Sequence, residues 1–126
     1  MIDTLVLAGG GLKGFSMLEA INQLIINKII IIKNIKNYYC TSVGSIISIL
    51  LAIGYTMDEL NIFIQRFDFN KISNDIDVDN LFNKFGLSTG KGMMTIIQSL
   101  LFEKINKYDI TFKEFFKIYK IKINII

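Results

Sequence analysis

Ser42 is the residue of this sequence best placed to act as a nucleophile. The run from Tyr38 to Cys40 predicts a short strand, and the apolar segment that begins at Val43 predicts a helix. A serine on such a sharp corner projects its hydroxyl from the sheet, with the positive end of the helix beside it. The predicted nucleophile elbow comprises Cys40, Thr41, Ser42, Val43 and Gly44.

The elbow pattern requires small residues two positions before and two positions after the serine, so that the corner does not clash with itself. Gly44 meets this requirement, whereas Cys40 stands in place of the first glycine. Because cysteine is small, we expect the corner to form with some strain. A second interpretation stays open from these residues, in which Thr41 and Ser42 only cap the helix that follows.

Histidine does not occur in the 126 residues. A Ser-His-Asp triad and a histidine-containing zinc site therefore cannot be assembled from them. Any base that activates Ser42 must be a carboxylate or a lysine.

A glycine loop follows the first predicted strand, Thr4 to Ala8, and opens onto an amphipathic helix predicted from Phe15 to Asn27. The loop matches G-x-G-x-x-G, which in dinucleotide-binding folds is followed about 20 residues later by an acidic residue. Positions 29–37 contain only isoleucine, lysine and asparagine, so a nucleotide-binding domain is the weaker alternative. Bare N–H groups can instead stabilise an oxyanion. The predicted oxyanion loop comprises Gly9, Gly10, Gly11, Leu12, Lys13 and Gly14.

The rest of the chain alternates helices with polar turns. A helix that is apolar on nearly every face is predicted from Val43 to Ile53, and capping boxes begin at Thr56 and Thr111. Amphipathic helices are predicted over Met57–Phe67, over 93–104 and after Thr111, and a strand over Ile121–Ile125. Asp75, Asp77 and Asp79 are expected in a solvated loop, and positions 86–92 in a turn.

Composition narrows the class of protein. At 126 residues with 52% hydrophobic content, we expect one domain, 1–126, with a packed core. The net charge is +3 but the lysines are scattered, which disfavours nucleic acid as a partner. A single cysteine and the lack of a secretory or membrane-spanning segment favour a cytoplasmic protein that can visit membrane surfaces. The closing apolar strand suggests a domain cut short.

Taken together, the loop at 9–14 and the Cys-Thr-Ser-Val-Gly-Ser stretch at 40–45 resemble the N-terminal half of a patatin-like phospholipase domain. That resemblance implies a three-layer α/β/α fold with a mainly parallel sheet. It also implies a lipid acyl hydrolase with a Ser-Asp dyad, acting on phospholipid or another lipid ester without cofactor or metal.

Residue by residue, the resemblance makes Ser42 the nucleophile and Gly10 and Gly11 the main oxyanion donors, with Lys13 at the basic position of the loop. The family's catalytic aspartate, in an Asp-Gly-Gly or Asp-Gly-Ala motif, has no match here and is expected beyond residue 126. The alternative is an inactive lipid-binding or interaction module of the same fold.

Overall fold

The computed structural model describes residues 1–66 and 90–126. They form an α/β fold around an open, three-stranded parallel sheet, which confirms the fold class predicted from the sequence. The strands are β1 (Thr4–Leu7), β2 (Asn37–Cys40) and β3 (Lys122–Ile125), and β2 lies between the other two. In this register Leu7 pairs with Cys40, and Cys40 with Ile125.

Five helices lie in the described part of the chain, with bounds close to those predicted. They are α1 (Gly14–Ile26), α2 (Val43–Ala52), α3 (Met57–Arg66), α4 (Lys91–Ile105) and α5 (Phe112–Tyr119). Short 3-10 turns occupy Gly11–Lys13 and Ile32–Asn34. Both predicted capping boxes are present, since the Thr56 and Thr111 hydroxyls accept from the N–H groups of Glu59 and Glu114 at 3.2 Å each.

One face of the sheet is buried and the other is partly open. Leu7, Tyr38 and Cys40 point to the buried face, where α2 packs across all three strands. Most of α2 is buried, as its apolar sequence predicts. On the opposite face Val6 is 76% exposed and Tyr39 43% exposed, so the residues that the structure describes leave that side uncovered there.

The chain divides into two compact units. The first contains 1–61 and 110–126, with the sheet, α1, α2 and α5. The second, 62–109, contains α4, in which Leu100 and Leu101 are buried, and a stacked pair of rings, Phe102 and Tyr108, with centroids 4.4 Å apart.

Two sequence predictions cannot be compared with the structure. The loop with Asp75, Asp77 and Asp79 lies outside the described residues, as does most of the turn predicted at 86–92. Within 1–66 and 90–126, none of the helices combines the length and the apolar run that crossing a bilayer requires.

Candidate functional site

Ser42 occupies the corner between β2 and α2, and it is exposed. Its backbone angles are φ 51° and ψ −127°, a region that residues with a Cβ rarely adopt. Holding a non-glycine residue at these angles costs about 1–3 kcal/mol. Such a conformation persists only where the surrounding structure enforces it. The corner is therefore a strained, rigidly held turn that presents the Ser42 hydroxyl to solvent.

The capping interpretation of Ser42 is wrong. Ser42 is the residue at the N-terminal cap of α2, but its side chain makes no capping hydrogen bond. A capping serine normally has extended backbone angles and accepts a bond from the first turn of the helix. The corner is instead closed by backbone bonds, from Gly44 N–H to the Thr41 carbonyl at 3.0 Å and from Ser45 N–H to the Ser42 carbonyl at 2.9 Å.

The glycine loop lies against this corner. A Cβ placed on Gly9 would lie 3.1 Å from the Ser42 Cβ and 3.5 Å from the Thr41 Cγ2. Gly11 has φ +54°, which glycine adopts without strain. Among the described residues, the bond that closes the loop runs from Lys13 N–H to the Gly10 carbonyl at 3.1 Å. That bond uses neither the Gly10 nor the Gly11 N–H.

Two glycines are required because other groups occupy the space of their side chains. A Cβ on Gly14 would overlap the side chain of Val43, and a Cβ on Gly44 would overlap the carbonyl oxygen of Leu7. The first contact joins the end of the glycine loop to the elbow, and the second seats the start of α2 on the end of β1. The sequence alone does not indicate these contacts, because only the fold brings together residues that are 29 and 37 positions apart.

Cys40 fills the position of the first elbow glycine, and the corner forms with its strain at Ser42 rather than at Cys40. It is the last residue of β2, and it is not among the residues with positive φ. Its side chain is 2% exposed and points to the buried face, where the Sγ–H donates to the Asn124 carbonyl at 3.5 Å. Glycine is not needed at this point of the strand, since the left-handed angle falls on Ser42 instead.

Two sources of positive charge belong to the elements that form the corner, namely the helix backbone and one lysine. The N-terminal end of α2 directs its partial positive charge toward the corner, and the exposed Lys13 lies in the 3-10 turn of the glycine loop. Asp3 precedes β1 and therefore lies at the other end of the sheet, where its carbonyl accepts the Lys36 N–H at 2.7 Å. It is too far along β1 to act as a base for Ser42.

Comparison with known proteins decides the family. A family model described as patatin-like phospholipase matches residues 5–120. The chain belongs to the patatin-like phospholipase family. It is 35% identical over 119 residues to a protein of Invertebrate iridescent virus 6 named as a probable lipid hydrolase. It is also 32% identical over 115 residues to an uncharacterized protein of Acanthamoeba polyphaga mimivirus.

This patatin-like chain spans less than half the length of the two relatives that it matches. Each alignment covers 90% of this chain, but only 39% of the iridescent virus protein and 38% of the mimivirus protein. No solved structure matches the chain. The family is a lipid hydrolase family, and the glycine loop and the corner at Ser42 both lie inside the matched region.

Proposed function

We propose that this protein is a lipid acyl hydrolase in which the Ser42 hydroxyl is the nucleophile. One observation carries the proposal, namely that Ser42 is exposed at φ 51° on a turn that packs directly against the glycine loop. Backbone strain at a polar, exposed residue is typical of functional sites. The family and the iridescent virus relative, named as a probable lipid hydrolase, support a lipid ester as the substrate.

The proposed reaction proceeds in two steps. The Ser42 Oγ attacks the acyl carbonyl carbon, and the carbonyl oxygen gains a negative charge that the Gly10 and Gly11 N–H groups stabilise. The C–O bond to the alcohol then breaks, the alcohol leaves with a proton, and the acyl group stays on Ser42. Water attacks this acyl-enzyme and releases the fatty acid.

The oxyanion loop of this proposal is the whole glycine loop, with Lys13 at its basic position. The elbow residues hold the geometry rather than react. Cys40 anchors the end of β2, Val43 packs on Gly14, and Gly44 seats α2 on β1.

We propose that a carboxylate completes the dyad and takes the serine proton, as the patatin-like family implies. We place the catalytic aspartate beyond residue 126, in the part of such proteins that this chain does not span. The 126 residues contain no aspartate followed by glycine. The second candidate function is an inactive lipid-binding or interaction module of this fold, which would lack such an aspartate.

Hydrolysis by the full-length protein tests this proposal. We expect it to release fatty acid from phospholipid or short-chain ester substrates, and both Ser42→Ala and Ser42→Gly to reduce kcat by about 10⁴-fold or more. Glycine tolerates φ 51°, so Ser42→Gly should be at least as stable as the wild type, and its loss of activity would not reflect unfolding.

Ser99→Ala is the matched control, since Ser99 lies on the exposed side of α4 and its hydroxyl bonds only the Thr95 carbonyl. We expect this variant to retain full activity. Equal hydrolysis by the wild type and Ser42→Ala would overturn the role of Ser42. A folded wild type that binds lipid without hydrolysing any ester would favour the inactive module.

A further inference from the structure

Helix α5 presents two aromatic rows, and only one of them is packed inside. Phe115 is 3% exposed, and its ring lies against that of Tyr119 with centroids 4.7 Å apart. Phe112 and Phe116, also one helical turn apart, are 57% and 42% exposed. The helix therefore holds itself on the protein with one row and leaves two phenylalanine rings in solvent.

A row of lysines runs beside the exposed rings. Lys113 and Lys120 lie three positions before and four positions after Phe116, so both border that ring, and Lys117 lies between them on the same stripe. All three lysines are exposed. The one acidic residue of α5, Glu114, uses its carboxylate in the capping box, where it accepts from the Thr111 N–H at 3.0 Å and from the Thr111 hydroxyl at 2.8 Å.

This pairing of exposed aromatic rings and lysines fits an anionic lipid surface. Helices that lie in the plane of a membrane insert apolar rings at the boundary of headgroups and acyl chains, while lysines attract anionic headgroups. Segment 111–122 carries four lysines and one glutamate, so its charge is complementary to such a surface. Single-stranded nucleic acid also stacks on aromatic rings, but it usually follows a basic groove. Here the exposed rings and the lysines lie on a single helix, α5.

We propose that α5 is an interfacial helix that docks the protein on anionic membranes, with Phe112 and Phe116 entering the lipid and Lys113, Lys117 and Lys120 binding the headgroups. This surface goes beyond the proposed function, because docking requires neither Ser42 nor any step of ester hydrolysis. It assigns a membrane-facing side to the molecule.

Vesicle co-sedimentation of the full-length protein tests the docking surface. The Ser42→Ala variant is used throughout, so that hydrolysis cannot alter the vesicles and binding is measured separately from catalysis. We expect binding to phosphatidylcholine vesicles that contain phosphatidylserine, weaker binding to pure phosphatidylcholine, and a decrease as salt screens the lysines.

Two double variants of α5 should weaken this binding. The double variant K113Q/K117Q removes two of the three lysine charges without altering the packed ring of Phe115. We expect its partition coefficient onto the anionic vesicles to fall by about tenfold or more. Replacing both exposed rings, F112S with F116S, should give a similar loss. Thermal unfolding identifies any variant that is misfolded, and the lysine pair remains informative if the ring pair fails to fold.

The matched controls remove the same chemistry from another surface. Ile29 and Ile31 are 55% and 56% exposed, and Lys28 and Lys33 lie beside them. We expect the double variants I29S/I31S and K28Q/K33Q, both in the Ser42→Ala background, to bind vesicles as tightly as Ser42→Ala itself. Unchanged binding by the α5 lysine pair would overturn the proposal. So would equal losses in the control pairs, or binding of a single-stranded oligonucleotide through α5 without any vesicle binding.

Discussion

Tyr38 combines complete burial with an unsatisfied hydroxyl. The side chain is 0% exposed in the central strand β2, and among the described residues its hydroxyl has no hydrogen-bond partner. Burial without a partner disfavours the charged phenolate, which raises the pKa of the Tyr38 phenol from 10.0 to about 12. A buried hydroxyl of this kind lowers the stability of the fold relative to a ring without it.

We expect Tyr38→Phe to make the fold less sensitive to alkaline pH. The unfolded wild type releases the phenol proton near pH 10 but the folded form keeps it to about pH 12, so the stability due to this group is complete below pH 10 and is lost as the pH rises. At pH 11 that loss is about 1 kcal/mol. Chemical unfolding at pH 8 and pH 11 measures it.

Tyr39→Phe is the control, because Tyr39 is the neighbouring residue of β2 and is 43% exposed. It should leave the difference between pH 8 and pH 11 unchanged. Burial also raises the pKa of Tyr119, but that residue is present in every variant and its contribution cancels. The same alkaline loss in Tyr38→Phe as in the wild type would contradict this account of Tyr38.

The contact between α2 and β1 is the point at which two elements fix the geometry of the site. Gly44 lies in the first turn of α2, and a Cβ there would overlap the carbonyl oxygens of Leu7 and Ala8. Backbone atoms cannot turn away as a flexible side chain can. Any side chain at this position must therefore push α2 away from the end of β1, and Ser42 moves with the helix.

We expect Gly44→Ala to lower the free energy of unfolding by about 1–3 kcal/mol, although alanine normally favours a helix over glycine. Gly10→Ala is the matched control, since its Cβ would meet no heavy atom closer than 3.7 Å. That variant should stay within about 0.5 kcal/mol of the wild type. Denaturant titration compares the two, and equal stabilities would contradict the contact.

Local patterns in the sequence predicted the elements well. Both capping boxes formed where Thr56 and Thr111 precede a glutamate by three positions, and α2 is buried as its uniformly apolar sequence indicates. The exposed position of Ser42 on a strand-to-helix corner was also predictable. Strain in that corner was expected as well, but the sequence did not show that it falls on the φ angle of Ser42.

The remaining features depend on distant parts of the chain. Nothing in a single segment indicates that Val43 packs on Gly14, or that Gly44 meets the Leu7 carbonyl, because those contacts form only when β1 and β2 pair in register. The burial of the Tyr38 hydroxyl likewise follows from α2 crossing the sheet. Hydrophobic periodicity predicts which face of a helix or strand is buried, but not which atoms of other elements that face contacts.

At the scale of the whole molecule, two features decide which protein should be used to measure activity. They are the open face of the sheet and the fraction of each relative's length with which this chain aligns. Val6 is 76% exposed although Leu7, the next residue of β1, is buried. The chain aligns with about two fifths of each relative. We propose that the carboxylate partner of Ser42 belongs to the part of these proteins that the 126 residues do not span. Catalysis should therefore be tested in the full-length protein. The strained conformation of Ser42 can be tested in any sample in which the sheet and α2 are folded.

Reaction of the full-length protein with a fluorophosphonate probe, followed by peptide mapping, tests the central claim most directly. Such probes form a covalent bond with an activated serine, so the label reports the nucleophile itself rather than the overall turnover. We predict one labelled peptide, containing Ser42, and no label in Ser42→Ala, while Ser99→Ala is labelled as the wild type is. Labelling that persists in Ser42→Ala, or that maps to another serine, would contradict the assignment of Ser42 as the nucleophile.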